Sequence, residues 1–181
     1  MIAAFDLATS TGVCWGTPGQ TPQFETWDLR KAGEGRPQRL FLLMSHVRIF
    51  LLLRPTASVV YEAPQPMAVM SRVGATDQTI GLLRGAVGVL EATCAEYGRP
   101  VEAIPVQDAR GAVLGWRTSR KPKGKKKSDT KARVFREVGY HGLCPKTEDE
   151  ADAAVLWLYA CARINPRVAL QMTPLFKEGG L

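Results

Sequence analysis

MIAAFDLATSTGVCWG, residues 1–16, is the stretch whose reading decides the fold. Ile2 to Phe5 are apolar and partly β-branched, the pattern of a short buried strand, and that strand ends on a carboxylate, Asp6. Thr9, Ser10, Thr11 and Gly12 have the composition of a tight turn. Val13, Cys14 and Trp15 then resume an apolar run up to Gly16. The expectation is a β-hairpin with one aspartate at the end of its first strand. A carboxylate inside a sheet is costly unless it is compensated. Asp6 therefore either caps the turn through backbone hydrogen bonds or is met by charged groups from later in the chain.

Later segments repeat the pattern. Ser58 to Tyr61 (SVVY) reads as a second β-branched strand that delivers Glu62, followed by the chain reversal Ala63-Pro64-Gln65-Pro66. Thr147 and Glu150, three apart, form a capping box and start a helix. Glu148, Asp149 and Glu150 suit the positive end of the helix dipole, but Asp152 lies past the first turn, inside the apolar run Ala151–Leu158. Asp149 and Asp152 share a helix face and would repel each other unless a cation lay between them. Strand–Asp6, strand–Glu62 and a helix with Asp149 and Asp152 make a set of hard oxygen donors. That set suits Mg²⁺ or Mn²⁺, two ions per site, in phosphodiester hydrolysis.

The charge distribution supplies a matching substrate class. Of 24 Lys/Arg and 17 Asp/Glu in the chain, ten basic residues and one acidic residue fall within 117–136, leaving 14 and 16 elsewhere. Arg117, Arg120, Lys121, Lys123, Lys125, Lys126, Lys127, Lys131 and Arg133 make this segment a candidate contact for a phosphate backbone. A solvated loop that serves only solubility is the plain alternative. Trp116, beside it, is the one tryptophan with a base-stacking reading; Trp15, Trp27 and Trp157 read as packing.

The bulk properties exclude several classes. With 181 residues, 45% hydrophobic and 23% charged, the chain suits one globular domain. No leader with a cleavage site opens it, and the apolar run Leu40–Leu53 is too short to span a bilayer. Cys14, Cys94, Cys144 and Cys161 form no CxxC pair and read as buried thiols of a cytoplasmic protein; two histidines leave little for a histidine-based metal site.

The remaining elements follow from periodicity. A third strand is expected over Gln23–Leu29, a loop over Lys31–Arg36 and a helix from Pro37 to Leu53 that buries Leu40, Leu43, Met44, Val47, Phe50 and Leu51, with His46 structural. After a loop over Gln65–Asp77, a long helix from Gln78 or Thr79 to Tyr97 carries Gly81, Gly85 and Gly88 on one face. Those glycines would let a neighbouring element or a second subunit come close. Val101–Ile104 reads as a strand, Pro105–Leu114 as a helix closed by Gly115, and Ser128 as the cap of a further helix ending near Gly139.

In this order the chain resembles the ribonuclease H-like nucleases, and within them the RuvC-type Holliday-junction resolvases of a phage or prophage branch. The resemblance spans roughly residues 2–163 and is carried by IAAFDLATSTGVCWG, VVYEA, LLRGAVGVLEATCAEYGRPV and DEADAAVLWLYA. It implies an α/β fold with a ribonuclease H-like mixed five-stranded sheet flanked by helices. It also implies a nuclease domain over 1–165, with a flexible basic loop at 116–127 and a C-terminal tail at 166–181. Asp6, Glu62, Asp149 and Asp152 would hold the metal, and Lys131 in SDTKARV would stand near the scissile phosphate. Arg110 in QDARGAVLG falls about where the family has a second lysine. The resemblance further implies a homodimer acting on branched DNA. Two departures bear on substrate choice. No aromatic wedge follows Glu62, where only Met67 and Met70 offer apolar side chains, and RKPKGKKK lengthens the loop before Lys131. A nuclease for RNA–DNA hybrids and a non-catalytic nucleic-acid-binding module stay open as alternatives. DLATSTG also resembles the phosphate loop of actin-like sugar kinases, which need two such domains and a second glycine-rich motif.

Overall fold

The β-branched and aromatic runs form a single sheet in the order β3-β2-β1-β4-β5. The strands are β1 (Ile2–Asp6), β2 (Ser10–Gly16), β3 (Gln23–Asp28), β4 (Ser58–Glu62) and β5 (Val101–Ile104). The first three pair antiparallel, while β4 lies parallel to both β1 and β5. This is the mixed five-stranded sheet expected from the sequence. The structure is a computed structural model and describes residues 1–33, 35–54, 56, 58–66, 69–70, 74–116, 127–164 and 166–167. The expected tail at 166–181 therefore lies, beyond 167, outside the described residues.

Period-2 alternation sorts the strand residues onto two faces. Ala3 and Phe5 of β1, Val13 and Trp15 of β2, and Val59 and Tyr61 of β4 point to one side. There they meet α1 (Arg36–Leu53), through Leu43, Val47 and Phe50, and α2 (Asp77–Glu96), through Ala86, Leu90 and Cys94. Ile2, Ala4, Cys14 and Val60 point to the other side, against α5 (Glu148–Ile164). Behind α5, α3 (Val106–Leu114) and α4 (Lys127–Tyr140) complete the layer with Ala109, Val134 and Val138. Gly115 ends α3 in the left-handed region (φ 71°), where glycine carries no Cβ penalty. No helix among the described residues is long and apolar enough to cross a membrane.

The structure corrects several local expectations. The first turn is shorter than read: β2 already begins at Ser10, and Thr11 is fully buried, its hydroxyl donating to the Ala8 carbonyl at 2.9 Å. The strand expected to reach Leu29 stops at Asp28. There the Asp28 carboxylate accepts from the Arg30 backbone N–H and caps a 3-10 turn over Leu29–Ala32. α2 starts at Asp77 because Thr76 is its cap, and α4 starts at Lys127, so Ser128 lies inside the helix rather than capping it. Cys144 is exposed, since the extended segment after Gly142 turns Leu143 and Pro145 inward and Cys144 out. Cβ atoms at Gly81 and Gly85 would come within 2.7 Å of Arg36 and Leu40 on α1. Gly85 thus serves the packing of α1 on α2, Gly81 meets the movable end of Arg36, and Gly88, the third of the set, faces open space. His46 is structural as expected, stacked on Trp27 with ring centroids 5.1 Å apart.

Candidate active site

Asp6 has the parity of Ala4, and Glu62 that of Val60, so both carboxylates stand at strand ends on the face that α5 covers. β1 and β4 are parallel and in register through Phe5 and Tyr61, which puts the two acids one step beyond the last pair. What brings α5 to them is Gly12. It pairs with Asp6 across the hairpin, and a Cβ there would lie 2.0 Å from the Asp149 carbonyl oxygen. Any larger residue would push the first turn of α5 off the sheet.

That first turn is also pinned by Glu150, whose side chain is buried. Its carboxylate accepts from the Thr26 hydroxyl of β3 at 2.9 Å and from the Lys146 backbone N–H. The Glu150 N–H in turn donates to Thr147 Oγ1 at 3.1 Å, as the capping box requires. Sequence reasoning saw the cap but not the bond to β3. With Glu150 turned inward, Asp149 and Asp152 are directed to the carboxylate end of the sheet.

Two cations from other helices meet them. Lys131 of α4 donates through Nζ to Asp149 Oδ1 at 2.6 Å and lies 3.7 Å from Asp152 Oδ2. Arg110 of α3 donates through Nη2 to Asp152 Oδ1 at 2.8 Å, with both side chains largely buried (12% and 6% exposed). The buried Nε of Arg110 has no hydrogen-bond partner among the described residues. Burial pushes the Asp6 carboxyl well above the usual carboxylate range, and the charges of Asp152, Glu62 and Asp149 push it further; Lys131 acts in the opposite sense. Burial disfavours the Lys131 ammonium, but its hydrogen bond to Asp149 and the charges of Asp6, Asp149 and Asp152 outweigh that and raise its pKa.

Among the described residues, no three His, Cys, Asp or Glu side chains already form a metal cage. Asp149 and Asp152 are drawn onto Lys131 and Arg110 instead. The donor chemistry nevertheless fits a hard divalent cation. The set is all carboxylate, and Asp6 is both buried and faced by the charges of Asp152, Glu62 and Asp149, which a cation would offset. Asp6, Glu62, Asp149 and Asp152 are the residues that could hold such ions.

Of the basic segment, Arg117, Arg120, Lys121, Lys123, Lys125 and Lys126 lie outside the described residues, as does Met67; for Lys127 only the backbone, in α4, is described. Arg133 is engaged locally: Nε donates to Glu137 at 2.6 Å and the guanidinium lies 4.2 Å from the Trp116 ring centroid. Trp116 Nε1 also donates to Glu137. One face of the tryptophan held open for base stacking is thus covered from within the chain.

No protein-family model matches the sequence, and no curated protein does. Solved structures do match. Thermus thermophilus RuvC superposes with a TM-score of 0.62 at 18% identity, over 90% of this chain and 95% of that one. This is the fold of the RuvC resolvases. T. thermophilus RuvC in complex with a Holliday junction substrate gives a TM-score of 0.63, again at 18% identity, over 91% of this chain and 96% of that one. The yeast mitochondrial Holliday junction resolvase Ydc2 gives 0.57 at 10% identity, over 94% and 83%. The comparisons give no sequence-level support to a phage branch.

Proposed function

We propose that this chain is a divalent-metal-dependent endonuclease that cuts four-way or other branched DNA. The observation that carries the reading is the meeting of four carboxylates from β1, β4 and α5 with Lys131 and Arg110 at one end of the sheet. A solved RuvC of the same fold with a Holliday junction as substrate supports the choice of DNA structure. Asp6, Glu62, Asp149 and Asp152 would hold two ions, Mg²⁺ or Mn²⁺. When bound, those ions would supply the Lewis acidity for hydrolysis. Asp6, facing the other three acids, would be the ligand most dependent on them. Lys131 would pass its ammonium from Asp149 to the scissile phosphate and offset the charge that develops there. Arg110 and Arg133, with the cations of 117–127, would hold the flanking backbone.

The same reading takes residues 1–165 as one nuclease domain acting as a homodimer on opposed strands in the cytoplasm. The test is cleavage of a labelled four-way junction beside duplex, fork and RNA–DNA hybrid, with Mg²⁺ or EDTA, for wild type and Asp6→Asn. Metal-dependent junction nicking that is lost in Asp6→Asn is the expected result. Preference for the hybrid would keep the chemistry and replace the substrate, whereas binding without cleavage under any metal would refute the enzyme.

A further inference from the structure

The two cations of the site each pair with a carboxylate that would hold metal. Lys131 Nζ is 2.6 Å from Asp149 Oδ1, and a Mg–carboxylate bond is about 2.0 to 2.1 Å. An ammonium and a divalent ion cannot both sit within bonding distance of one carboxylate edge without strong mutual repulsion. Arg110 occupies Asp152 in the same way, at 2.8 Å and in a more buried setting. The pairs join three helices: α3 and α4 each reach α5 through one cation.

We propose that Arg110 and Lys131 are built-in counter-ions of the acids, which release Asp152 and Asp149 to a metal when a phosphodiester backbone takes their place. This rests on the reading of the four acids as metal ligands. Without nucleic acid, a divalent ion must compete with two cations for Asp149 and Asp152, so it binds weakly. With a polyanion present, the expelled ammonium and guanidinium gain phosphate oxygens, and the ion binds more tightly. By linkage the metal must tighten nucleic-acid binding by the same factor. The device would keep the site from holding metal, and from hydrolysing phosphodiesters, until a substrate is seated.

The test is Mn²⁺ binding, read by the loss of free-ion electron paramagnetic resonance signal, so that no turnover is needed. Wild type, Lys131→Gln, Arg110→Gln, Arg110→Lys and Asp6→Asn would be titrated alone and with a four-way junction made wholly of phosphorothioate linkages. Without DNA, Lys131→Gln and Arg110→Gln should bind Mn²⁺ at least about fivefold more tightly than wild type, within the usual range of coupling. Arg110→Lys should stay near wild type, because it keeps the cation. The junction should tighten Mn²⁺ binding in wild type and do so less in Lys131→Gln. Equal or weaker Mn²⁺ binding by both Gln variants overturns the proposal. Lys131 is partly exposed, so its variant decides the matter if Arg110→Gln does not fold. Mn²⁺ binding by Asp6→Asn as tight as wild type would instead overturn the metal reading itself.

Discussion

The two faces of the sheet solve different problems. The face under α1 and α2 is filled by bulk: Phe5 meets Trp27 and Phe50 at 5.6 Å between ring centroids, and Trp15 meets Phe50 at 5.4 Å. The face under α5 also buries bulk, with Ile2, Val60 and Trp157, but many small residues line its contact with the helix. Ala4, Gly12, Cys14 and Gly16 from the strands face a helix that brings Ala151, Ala153 and Ala154. Bulk on the first face supplies the buried area that stabilises the fold. Smallness on the second lets α5 come close enough for the charges of Asp149 and Asp152 to act on Asp6. On the proposed function, stability and chemistry rest on opposite sides of one sheet, and each should fail separately.

The largest stability change is expected on the aromatic side. Phe50→Ala removes a ring that contacts three others and should cost about 3 to 5 kcal/mol, a loss visible as a lower urea midpoint. A cost under about 1 kcal/mol would show that the bulk is not what holds the domain. On the small side, Gly12→Ala forces a backbone clash and should cost about 1 to 3 kcal/mol by the same measurement.

Asp6→Asn should go the other way. A carboxyl whose folded pKa is raised favours the native state most below its unfolded value, and that contribution is lost as pH rises through the folded value. Metal-free Asp6→Asn should therefore melt a few degrees (about 2 to 4 °C per kcal/mol) above wild type at neutral pH. The gain should vanish below about pH 4, where an unfolded aspartate is itself protonated. An unchanged or lower melting temperature at neutral pH would mean that Asp6 is already well compensated. The smallest effect belongs to neither face. Arg48→Ala breaks an exposed pair with Glu96 at 3.0 Å and should shift stability by no more than about 1 kcal/mol.

What the sequence makes legible follows from range. Alternation in IAAFD and SVVYE places Asp6 and Glu62 on one face, and the capping box at Thr147 locates the start of α5; both signals are local. Gly12 is not legible as a packing residue, because after Thr9-Ser10-Thr11 a glycine reads as a turn. Its constraint comes from the Asp149 carbonyl, far along the chain. The ion pair of Arg110 is hidden for the same reason: its helix alone gives no hint that the guanidinium is buried against Asp152. The partner for Gly85 is open in the sequence between another element and a second subunit, and only the packing of α1 on α2 decides it.

The division of labour is tested most directly by the rate of four-way-junction cleavage by Gly12→Ala and Phe50→Ala, side by side, at a temperature where circular dichroism shows both folded. The account predicts that Gly12→Ala loses at least about 100-fold in rate, since an ångström of displacement at a reacting centre has that effect. Phe50→Ala, less stable, should cut within a few-fold of wild type. Comparable rates for the two variants would contradict the claim that the close approach of α5 at Gly12 is what assembles the site.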